Sequence, residues 1–135
     1  MMEYGIIKTI EREPPEMAGW NLTLRFGLEV GSLIALGMWG LRLGTGVVGW
    51  ILAVALPIAA AAVWGVFNVL NDPSRSGEAP IEVAGLVRLV IELAILVAGA
   101  MAIGVVGSPR LGIGFGVLIA LHYLASASRV KWLLG

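Results

Sequence analysis

The sequence predicts an all-α integral membrane protein, a bundle of four helices. It reads as two similar helical hairpins related by a pseudo-two-fold axis along the membrane normal. Three observations predict it. Of 135 residues, 59% are hydrophobic and 13% charged, with a mean hydropathy of +0.93, whereas soluble domains carry about 25% charged residues. Four stretches reach the roughly 20 apolar residues a helix needs to cross hydrocarbon. An Arg-x-x-x-Glu motif occurs in both the first and the third of them. Nine basic residues offset nine acidic ones, which leaves no basic surface for nucleic acid. With no cysteine, disulfides, thiolate metal sites and cysteine nucleophiles are excluded.

Residues 1–19 read as an amphipathic, acidic cytoplasmic tail. Glu3, Glu11, Glu13 and Glu16 stand among Lys8 and Arg12, without the apolar core of a cleavable signal. Ile6, Ile7 and Ile10 suit a short surface-lying helix, which Pro14-Pro15 would end. The four-span domain, 20–135, follows. Its spans are predicted at about Trp20–Leu43, Gly46–Leu70, Pro80–Val106 and Leu111–Leu134. Short connections between them force antiparallel neighbours, and strand-like alternation is absent.

Orientation follows the flanking Lys and Arg residues. Lys8, Arg12, Arg75, Arg129 and Lys131 fall on one side, and only Arg42 and Arg110 on the other. Both termini are therefore expected in the cytoplasm. Trp20 and Trp132 lie near the cytoplasmic interface, and Trp39 and Trp50 near the opposite one.

The hairpins align when offset by 63 residues, which superposes Arg25 on Arg88 and Glu29 on Glu92. Each copy holds two spans, so both would share one orientation. At the bilayer centre an Arg or Glu costs about 2.5–3.5 kcal/mol, so each needs a partner or a wet cavity. Spacing of four puts Arg25 with Glu29, and Arg88 with Glu92, on one helix face. His122, Ser126 and Arg129 descend the fourth span at helical spacing, and Asn68 follows Trp64 by one turn. All fall in one depth band.

Two readings of that band stand side by side. One is an ion-pair network that fixes helix register. The other is a polar site, in which Arg25, Glu29, Arg88, Glu92, His122 and Arg129 bind or pass a proton, cation or small solute. A lone histidine is more often a hydrogen-bonded core residue than a ligand, so no metal or cofactor is expected. Pro57 leaves the Ala53 carbonyl without its helical donor, as a hinge or as a tolerated membrane proline. Small residues recur every four positions at Gly27, Gly31 and Ala35, at Ala94, Ala98 and Ala102, and at Gly112, Gly116 and Ala120. Such faces serve packing within the bundle or a homo-oligomer.

Asn21-Leu22-x-Leu24-Arg25-Phe26-x-x-Glu29, Leu36-Gly37-x-Trp39-Gly40, Ala55-Leu56-Pro57, Trp64-Gly65-x-Phe67 and Glu92-Leu93 together resemble the YrdB-like family. These are small four-span bacterial membrane proteins, a domain of unknown function. The resemblance covers about Trp20 to Arg129. It implies four spans and roles for Arg25, Glu29, Pro57, Trp64 and Glu92, and it implies no activity. The acidic tail and the Asn68–Pro73 stretch depart from the pattern.

No H-E-x-x-H, G-x-S-x-G or paired-aspartate motif is present, so an enzyme is not expected. Translocation or binding of a proton, cation or small solute leads. The alternative is a non-catalytic accessory or scaffold subunit of a larger membrane complex. The lipid bilayer is the expected surrounding in both.

Overall fold

A computed structural model describes residues 13–74 and 78–135. The tail helix at Ile6–Ile10, and Lys8, Arg12 and Arg75, lie outside the described residues. The fold is all-helical, in the order α1 (Gly19–Leu43), α2 (Val47–Val66), α3 (Gly85–Val106), α4 (Pro109–Ala125) and α5 (Ala127–Leu134). The connection between α2 and α3 includes a two-residue parallel bridge of β1 (Phe67–Asn68) with β2 (Ile81–Glu82). Three helices, α1 to α3, are long and apolar enough to cross a membrane. A fourth span exists if α4 and α5, bent by 70° at their junction, count as one.

Three helix ends differ from the apolar runs that predict them. The third helix begins at Gly85, five residues after the predicted start at Pro80, because Ile81–Glu82 enter the bridge. The second helix stops at Val66, before the run ends at Leu70, because the backbone turns extended at Phe67 and enters the bridge. The last span breaks at Ser126, whose backbone N–H is taken up by carbonyls of α4 and whose buried hydroxyl accepts from Asn21. Hydropathy does not mark the end of α2, since Phe67, Val69 and Leu70 stay apolar, whereas the break at Ser126 falls where the run turns polar at Ser128, Arg129 and Lys131.

Helix direction follows from which residues meet. Arg25 bonds to Glu92, Ser32 packs on Gly99, and Arg42 bonds to the Val105 carbonyl. These partners keep a nearly constant separation in sequence, so α1 and α3 run parallel. Gly40 meets Leu52 and Gly104 meets Gly112, which closes each hairpin antiparallel. The hairpin turn at Gly46 has φ +57°, a conformation only glycine adopts freely. Ser108 caps α4 by accepting the Leu111 N–H, with Pro109 in the first turn.

The core holds one residue from each of the four long helices: Leu28, Trp64, Leu96 and Ile119. A second core of Val69, Trp132 and Leu133 packs α5 on the connection. Pro57 sits within α2, and the carbonyl it leaves free, that of Ala53, faces Gly37 of α1. The proline thus belongs to the α1–α2 contact.

Glycine supplies the close approaches. A Cβ at Gly40 would lie 2.6–2.8 Å from the Leu52–Ala53 backbone, while a Cβ at Gly27 meets nothing within 4 Å. Gly40→Ala should therefore cost about 1–3 kcal/mol by overpacking, and Gly27→Ala should be neutral or slightly stabilising. Reversible unfolding in detergent, followed by circular dichroism, separates the two. Equal midpoints for both variants would contradict this packing.

Candidate functional site

Three arginines and three carboxylates meet at one end of the bundle. Arg25 and Glu29 come from α1, Arg88 and Glu92 from α3, Arg129 from α5, and Asp72 from the connection. The formal charges cancel. Apart from Glu29, whose side chain is 14% exposed, each of these residues is 0–1% exposed. Burial of this kind requires mutual pairing, because an unpaired ion in a low dielectric carries a penalty of several kcal/mol.

Glu92 is the centre. Its Oε1 accepts from the Tyr123 hydroxyl at 2.7 Å and from Arg129 at 2.7 Å. Its Oε2 accepts from Arg25 at 2.8 Å and from Arg129 at 3.0 Å, and Arg88 Nε lies 3.3 Å away. A carboxylate offers about four lone-pair sites, and here all are taken. Glu29 sits at the rim, 3.1 Å from Arg25 Nε.

Asp72 holds Arg129 from the other side in a bidentate pair, at 2.8 and 2.7 Å. The Ser74 N–H and hydroxyl also donate to it, at 3.0 and 2.9 Å. Burial alone would push the Asp72 carboxyl up. The hydrogen bonds and charge of Arg129, with the two Ser74 donors, outweigh it and hold the group below its ordinary value.

Arg88 reaches a different kind of acceptor. It donates to the carbonyls of Trp64 and Phe67 at the end of α2, where helical carbonyls lack donors and the dipole is negative. Trp64 is buried, and its ring lies 5.8 Å from the Arg25 guanidinium. This is how α2 joins the charged layer.

His122 has both ring nitrogens engaged. The Arg25 guanidinium can only donate, so Nε2 accepts from it at 3.3 Å and Nδ1 donates to Asn21 Oδ1 at 2.7 Å. Asn21 in turn donates to Ser126 at 2.8 Å. Among the described residues no group of three or more His, Asp or Glu side chains is placed to hold a metal.

Arg25, Glu29, Arg88, Glu92, His122 and Arg129 are thus brought together. Trp64 covers them, whereas Asn68 braces the connection by donating to the Glu78 carbonyl, and Pro57 lies in the α1–α2 contact. Sequence reading missed Asn21, Tyr123 and above all Asp72. One signal existed: three arginines against two glutamates in one depth band leave a positive charge without a match.

The chain matches, over residues 23–120, the family described as "Protein of unknown function (DUF2568)". It is also 46% identical over 114 residues to a protein of Bacillus subtilis (strain 168) named "Uncharacterized protein YrdB", covering 84% of this chain and 93% of that relative. The chain belongs to the YrdB-like DUF2568 family. No solved structure matches it. The family match includes Arg25, Glu29, Asp72, Arg88 and Glu92 and ends before His122 and Arg129.

Because the folded Asp72 titrates below the 3.8 of a free aspartate, its stabilising contribution is complete above that value. It is lost as pH falls below that value towards the folded one. Unfolding midpoints should owe nothing to this group's titration between neutral pH and pH ~5, and should drop below pH ~4. Asp72→Asn should abolish that part of the acid drop and, by breaking a buried pair, cost about 3–5 kcal/mol at neutral pH. An unchanged neutral-pH midpoint would contradict the pairing.

Proposed function

We propose that the protein is a four-span module of the bacterial inner membrane with both termini in the cytoplasm, acting as a non-catalytic accessory or scaffold subunit. Its charged layer is a lock that fixes the helices. The observation that carries this reading is the saturation of Glu92: each oxygen already accepts two hydrogen bonds. A cation could enter only by displacing a guanidinium or the Tyr123 hydroxyl. Three apolar helices and a bent fourth pair support the membrane placement. The flanking arginines and Lys131 support the orientation. The parallel course of α1 and α3, with partners at matching offsets, supports two copies of one hairpin about an axis along the membrane normal. The outer face of α2, with Trp50, Ile51, Val54 and Ile58 exposed, is free for lipid, a second copy or another membrane protein.

The transport reading retains one observation of its own, the partial exposure of Glu29 beside Arg25. Single cysteines in this cysteine-free chain distinguish the two. Under the lock reading, Ser32→Cys and Ser126→Cys resist an aqueous thiol reagent while Glu78→Cys in the connection reacts. Reconstituted liposomes then pass protons and monovalent cations no faster than empty ones. Labelling at Ser32→Cys or Ser126→Cys in folded protein, or a flux lost in Glu29→Gln, would sink the lock reading and establish a hydrated path.

A further inference from the structure

The geometry points to a binding site for one anionic phospholipid at the seam of α3, α4 and α5, on the same end as the charged layer. This rests on the membrane placement proposed above and adds a specific ligand to it.

A groove of about 640 Å³ runs along this seam, within the roughly 300–1,000 Å³ of small-molecule sites. Leu89 and Leu93 of α3 form one wall. The other is low, because α4 presents Gly116 and Ala120 there, and a Cβ at Gly116 would meet nothing within 4 Å. The groove opens where the chain breaks at Ser126, since the bend carries α5 away from the line of α4. It continues into a second apolar groove of about 350 Å³ through shared Gly116. An apolar path therefore leads along α4 away from the charged end.

The mouth is different in kind. Lys131 of α5 lines it and is exposed, and among the described residues no acid pairs with it. Among the described residues every other cation of this end is committed: Arg25, Arg88 and Arg129 are buried among carboxylates and carbonyls. The ligand that complements a long apolar path with one uncommitted cation at its mouth is an acyl chain carrying an anionic headgroup. Basic positions beside cytoplasmic ends of spans attract such headgroups from the inner leaflet. Tyr123 links the two sites: its ring lines the groove, and its hydroxyl donates to Glu92. An acyl chain there would keep water from the Tyr123–Glu92 hydrogen bond.

The test uses the full chain in mild detergent, offered phosphatidylglycerol or phosphatidylcholine with identical chains. Retained lipid is read by native mass spectrometry and stability by thermal unfolding. One phosphatidylglycerol per chain should be retained, with a preference of about fivefold, the share of one lysine near an anionic lipid surface. It should raise the unfolding midpoint, and inorganic phosphate should not. Lys131→Ala should unfold at the same temperature without lipid and retain both lipids equally. Gly116→Leu, which fills the groove, should retain neither. Equal retention by the unaltered chain, or a preference that survives in Lys131→Ala, would overturn the site. Recovery of the protein outside the membrane fraction would instead overturn the membrane placement.

Discussion

The Glu92 carboxylate is the point on which the rest of the structure turns. A charge without water must collect its donors from protein, and Glu92 collects them from three other helices: Arg25 of α1, Tyr123 of α4 and Arg129 of α5. Two departures from straight helices follow. In a continuous helix, Arg129 would lie about 10 Å beyond His122 along the axis. Yet His122 meets Arg25 while Arg129 meets Glu92, and Arg25 bonds to both His122 and Glu92. The break at Ser126 brings Arg129 back into the layer. Likewise α2 ends at Val66, which leaves the Trp64 carbonyl and the Phe67 carbonyl for Arg88. Had α2 continued, its own amides would have occupied the Trp64 carbonyl.

The two Arg-x-x-x-Glu motifs are alike in sequence and unlike in use. Glu92 is buried at the centre, whereas Glu29 lies at the rim. The difference arises in the second helix of each hairpin. At the 63-residue offset, Arg129 corresponds to Val66, and Trp64 corresponds to Ala127. One hairpin therefore ends in an aromatic cover and the other in a third guanidinium. That extra cation needs an extra acid, and Asp72 supplies it from the connection between the hairpins.

The helices and the Arg–Glu pairs were legible in the sequence because both are local. Apolar run length identifies a helix, and a spacing of four puts Arg25 beside Glu29 whatever the tertiary structure. His122 and Arg129 were legible as neighbours in one half of the last span, but their convergence on a single layer was not, because it needs the break at Ser126. Asp72 was not, because its partner stands 57 residues away and nothing in the intervening chain marks the approach. Nor was the end of α2, since Phe67, Val69 and Leu70 keep the run apolar while the backbone leaves the helix. The tyrosine was hidden for a related reason. A Tyr on an apolar helix face carries no depth signal, and only the position of Glu92 gives its hydroxyl a role.

Helix ends explain why the two hairpins make a fixed unit. The last carbonyls of a helix have no partner within it and, near hydrocarbon, no assured water. Arg88, from the second hairpin, donates to carbonyls at the end of α2. At the opposite end of the bundle Arg42, from the first hairpin, donates to the Val105 and Val106 carbonyls at the end of α3, at 2.9 and 3.0 Å. Each hairpin thus completes a helix of the other, and the two completions lie at opposite ends. Alternating access works by rocking one repeat against the other about a central site. Here, rocking that opened the charged end would pull Arg88 from α2 and Arg25 from Glu92. Rocking that opened the far end would pull Arg42 from α3. Opening the charged end would leave buried ions and carbonyls unsatisfied, the larger penalty, while opening the far end would free the Val105 and Val106 carbonyls at an exposed place. Reciprocal capping therefore argues for a bundle that works through its surface, with the charged layer as the reason that surface keeps its shape.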